Sequence, residues 1–148
     1  MKTTGIPLPG VETGNGWQLH SPGDPTNWIV GETFQIDPSS LRHVRREGAA
    51  QAAQPIKNLA VKWFVHDPQA DDPAWGSIKP TSIGRTLSLL ASGGPFELAF
   101  GHAGQGETFG VILDVPGDFV IWGAGLGHRW RPLALATVVT IRWEFAGD

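Results

Sequence analysis

The chain predicts an all-β fold, an antiparallel sandwich or barrel, and three observations carry that expectation. Its 20 glycines and 12 prolines make up more than a fifth of 148 residues, so turns are frequent and long helices are disfavoured. From residue 59 onward, runs of five to ten residues rich in Val, Ile, Leu, Phe and Trp alternate with Gly/Pro turns. With 41% hydrophobic and only 17% charged residues, the chain is apolar enough to bury a core of single-domain size.

The first 27 residues are punctuated by Pro7, Pro9, Gly10, Gly14, Gly16, Pro22, Gly23 and Pro25, which predicts an irregular N-terminal arm. A single domain over residues 28–148 follows. Residues 28–36 form a candidate strand, closed by Asp37 and Pro38. Residues 39–54, with Ser39 or Ser40 as cap, hold the one candidate helix, and Gly48 interrupts it. Its basic cluster Arg42, His43, Arg45 and Arg46 reads as a solvated face or an anion contact.

Residues 59–66 are a strand. Side chains alternate, so Leu59, Val61, Trp63 and Val65 share one face, and Lys62, Phe64 and His66 the other. A loop over residues 67–80 carries Asp71, Asp72 and Trp75. Strands over 85–92, 96–100, 108–113, 118–122 and 136–145 complete the set. In the last, Val139, Ile141, Trp143 and Phe145 oppose Thr140, Arg142 and Glu144.

Composition excludes several classes. There is no cysteine, hence no disulfide, thiolate metal site or cysteine nucleophile. There is no tyrosine, hence no phenolic acid catalyst. A net charge of −3 argues against non-specific nucleic-acid binding. No apolar run approaches the length of a membrane span, and residues 1–10 lack the apolar core of a secretion signal. A cytoplasmic protein without membrane or nucleic-acid partners is the expectation.

The most informative stretch is Gly117-Asp118, the strand Phe119-Val120-Ile121-Trp122, then Gly123, Gly125, Gly127 and His128. It resembles the second signature of the cupin superfamily, with Gly117, Gly125 and His128 on the pattern, Gly123 where proline is usual, and Pro132 where asparagine is common. If Gly93 is the closing glycine of the first signature, Thr86 stands at the Glu position, and Lys79 and Thr81 at the two His positions. The resemblance covers about residues 56–145. Lys62-Trp63, residues 87–90 and His128-Arg129-Trp130 add to it, pointing to small single-domain bacterial cupins without a settled activity. It implies a double-stranded β-helix, or jelly-roll barrel. It also implies that most of the usual metal ligands are replaced.

The expected function is therefore small-molecule binding, with metal-free isomerase or lyase chemistry as its enzymatic form. Histidine titrates near neutral pH and suits proton transfer. The catalytic candidates are His128, His66 and Lys62. The ligand-binding candidates are Trp130, Trp63, Trp75, Trp122, Arg142 and Thr86; Trp143 is a further aromatic candidate. Arg142 suits a carboxylate or phosphate. No cofactor is expected, and His128 is the first ligand if a divalent transition metal is bound. A metal-dependent cupin enzyme with rearranged ligands and a non-catalytic sensor are the alternatives. A homodimer is expected, since sheet edges need covering.

Overall fold

A computed structural model describes residues 1–19, 56–70, 78–80, 84–102, 106 and 108–145. These residues form two five-stranded antiparallel sheets and no α-helix. The strands are β1 (Lys2–Gly5), β2 (Val11–Asn15), β3 (Ile56–His66), β4 (Lys79–Pro80), β5 (Arg85–Gly93), β6 (Phe96–His102), β7 (Phe109–Leu113), β8 (Asp118–Trp122), β9 (Leu126–Pro132) and β10 (Ala136–Phe145). One sheet runs β1-β7-β6-β9-β4 and the other β2-β8-β5-β10-β3. No helix among the described residues is long and apolar enough to cross a membrane.

The expected strands after residue 84 are all present, with ends moved by no more than two residues. The expected helix over 39–54 and strand over 28–36 lie outside the described residues. The expected irregular arm needs correction over its described part. Lys2–Gly5 pairs with β7 and Val11–Asn15 with β8, so one short N-terminal strand extends each sheet. Pro7, Pro9 and Gly10 fall between these strands, where they make the turn, while Gly5 and Gly14 are themselves paired within them. The end of the expected 67–80 loop also pairs: Lys79 and Pro80 lie opposite His128 and Gly127.

The main core fills the space between the sheets. Phe96, Leu98 and Phe100 from β6 meet Leu90, Val120, Trp122 and Val138 from the opposite sheet. A second apolar cluster covers the outer face of β5, β8 and β10: Leu87, Phe119, Ile121 and Trp143 are all buried there. That is why β8 is buried along its whole length, apolar on both faces.

Two glycines show how closely these elements approach. At Gly93, which closes β5, φ is +67°, and an added Cβ would collide with the Leu135 carbonyl. At Gly127 an added Cβ would collide with the Ile78 side chain. The missing side chain lets β4 lie against β9 immediately before His128.

Candidate functional site

A cavity of about 340 Å³ lies between the sheets. Strand alternation decides most of what enters it, with Val61 of β3 the exception that also borders it. On β3, Lys62 and His66 face inward; on β5, Thr86 and Ser88; on β10, Val138, Thr140 and Arg142; and on β9, His128 and Trp130. Phe96, Leu98 and Trp122 complete the apolar wall.

The inner face of the β3–β10–β5–β8 sheet is laid out in rows. Ala60, Arg142, Thr86 and Trp122 are consecutive cross-strand partners in one row. Lys62, Thr140 and Ser88 are consecutive partners in the next. Directly paired side chains start roughly 5 Å apart at Cβ, so each row is a continuous strip. Thr86 and Ser88 are buried at its floor, while Lys62 and Arg142 are exposed at its mouth.

Aromatic rings bound the strip at two places. His66 packs against Trp130 at 4.5 Å, Phe96 at 4.9 Å and Phe64 at 4.7 Å between centroids. Trp130 stacks on Phe96 at 5.7 Å, yet remains 41% exposed and available to a ligand. His128 lies 5.0 Å from the Trp122 ring, which in turn packs edge-on against Phe100. The Lys62 ammonium sits 4.3 Å from the centroid of Phe64.

His128 is held in its neutral form. Burial, and then the positive charge of Arg142, push its pKa down to about 4. At pH 7 it offers one ring N–H donor and one ring nitrogen acceptor.

Of the residues proposed from sequence, His128, His66, Lys62, Trp130, Trp122, Arg142 and Thr86 come together around this cavity. Trp63 does not. It lies on the opposite face of β3, 66% exposed, beside Leu59, Val61 and Val65, because its position has the other parity from Lys62 and His66. Trp143 is likewise turned away, buried in the outer cluster at 1% exposure. Trp75 lies outside the described residues, as do Thr81, Asp71 and Asp72. Ser88 and Thr140 were missed as site residues. Parity with Thr86 and Arg142 on their own strands is the signal that finds them.

The metal site implied by the cupin resemblance does not fit the described lining. Among the described residues no group of three His, Asp or Glu side chains converges. Two cations, Lys62 and Arg142, line the same cavity and oppose a divalent ion.

No family model, no curated protein and no solved structure matches the chain in the comparisons made.

Proposed function

We propose that this chain is a double-stranded β-helix protein of the cupin type that binds a small molecule between its sheets. Support for the fold type is the nested order of pairing. Across the eight strands β3 to β10, the first pairs with the last, β4 with β9, β5 with β8, and β6 with β7. That is how a long hairpin pairs before it wraps into a jelly roll.

The observation that carries the functional reading is the cavity itself. It is large enough for a metabolite-sized ligand, walled by aromatic rings, and supplied with a few convergent polar groups. Its enzymatic form is proton transfer at His128. With its pKa at about 4 rather than near neutrality, the ring is a weak base matched to acidic pH, and Lys62 or Arg142 stabilises the negative charge that develops.

A thermal-shift screen of metabolite-sized compounds tests this. Compounds that raise the melting temperature of the wild type, and fail to do so for Thr140→Phe, whose ring fills the cavity, are the expected result. A screen without hits, or hits that survive the filling substitution, would overturn it.

We further infer a homodimer through β3. Among the described residues it is the terminal strand of its sheet, and Leu59, Val61, Trp63 and Val65 form an exposed apolar strip along it. A second copy, related by a two-fold axis, would cover strip with strip.

A further inference from the structure

The inner face of the β3–β10–β5 sheet sets two cations beside three hydroxyls in one cavity. Thr140 is the direct partner of Lys62, and Arg142 is two residues along the same strand. The two cations are therefore diagonal neighbours on one face, with Cβ atoms roughly 7–8 Å apart. The Lys62 ammonium rests over the Phe64 ring, on the side of Lys62 away from the Ala60–Arg142 pair, and neither cation makes an ion pair with a carboxylate among the described residues. The described cavity lining contains no Asp or Glu. Between and below the cations lie three hydroxyls, of Thr86, Ser88 and Thr140.

We propose that this strip is a carboxylate subsite, in which Lys62 and Arg142 grip the carboxylate of an organic acid whose apolar body lies against Trp122, Trp130 and Leu98. The inference rests on the reading of the cavity as a ligand site and names the ligand class for it. Arginine presents a planar fork of donors that matches a carboxylate, and lysine adds a point charge from the side. The hydroxyls donate to the remaining lone pairs, of which an ionised carboxylate has about four. A larger oxyanion such as a phosphate fits less well. The floor is a paired sheet whose main-chain N–H groups are committed to the ladder, so no backbone nest faces the ligand. The opposite wall carries Leu98 and Trp130, direct partners across β6 and β9, beside His128, and on the floor sheet Trp122 ends the Arg142–Thr86 row. The site thus has a charged end and a greasy end, as a small aromatic or aliphatic acid has.

Isothermal titration calorimetry of the full chain at low ionic strength, with 2-naphthoate and its neutral isostere 2-naphthamide, tests this. The acid is expected to bind about tenfold or more tighter than the amide. Arg142→Met and Lys62→Met should each remove about tenfold of the acid's affinity and weaken the amide, which keeps a carbonyl acceptor but has no charge, by a clearly smaller factor. Retained amide binding also shows that each variant is folded. Equal affinities for acid and amide in the wild type, or acid binding indifferent to both substitutions, would overturn the carboxylate subsite while leaving the cavity reading intact. Failure of both compounds to bind would overturn both readings.

Discussion

Arg142 and His128 line one cavity from opposite sheets, and the guanidinium's charge adds to burial in keeping the imidazole neutral. Removing that charge should let the imidazole titrate at a higher pH. In Arg142→Met the His128 pKa should rise from about 4 but stay below the ordinary 6.5, because burial, the larger cause, persists. Nuclear magnetic resonance titration of the His128 ring protons measures this. An unchanged midpoint would show that the guanidinium does not act on the ring.

The same depression makes stability depend on pH. A histidine whose folded pKa lies below its unfolded value binds fewer protons when folded, so its contribution is complete above about 6.5 and is lost as pH falls towards 4. At about 1.4 kcal/mol for each pH decade, the loss is on the order of 3 kcal/mol at most, and solvent at the cavity reduces it. In His128→Gln the urea midpoint should therefore fall much less between pH 7 and pH 4.5 than in the wild type. An equal fall in both would assign the acid sensitivity elsewhere.

Asp118 governs a lower pH window. Burial alone would raise its pKa, but the Met1 ammonium at 2.8 Å, the Asn15 side-chain amide at 2.8 Å and the backbone N–H groups of Asp114 and Val115 outweigh it and hold the carboxyl below its usual value. This carboxylate fastens β2 to the turn before β8. Its contribution is present above about pH 3.8 and lost as pH falls below that. Asp118→Ala should cost about 1–2 kcal/mol in chemical denaturation at pH 7, since it removes the shared acceptor of four part-buried or exposed donors. A loss below 0.5 kcal/mol would show that water replaces the carboxylate.

Much of this site was legible in the sequence because strand parity is a hard constraint. Once β3, β5 and β10 are recognised, Lys62 with His66, Thr86 with Ser88, and Thr140 with Arg142 must each share a face. What parity cannot give is which face is inside. Trp63 and Trp143 look like pocket residues on composition, yet sit on the outer side, because this sheet is apolar on both faces. The N-terminal strands were hidden for another reason. Each is four or five residues long, without a strong apolar pattern, and is held as an edge by pairing with an already formed sheet.

Trp63 provides the last test, because it separates the outer face of β3 from the cavity behind it. Its ring is 66% exposed, and its neighbours Leu59, Val61 and Val65 on the same face are also exposed. A charge there should not disturb the folded protomer, since surface substitutions change stability by about 0.5 kcal/mol or less. It should oppose association, since two copies would bury two like charges at the centre of an apolar strip. Trp63→Glu is therefore expected to sediment as a monomer at concentrations where the wild type sediments as a dimer, with its circular dichroism spectrum and melting temperature as a protomer preserved. The intact inner face should keep any ligand affinity the wild type shows. A wild type that is already monomeric, or a Trp63→Glu variant that still dimerises, would remove β3 as the interface.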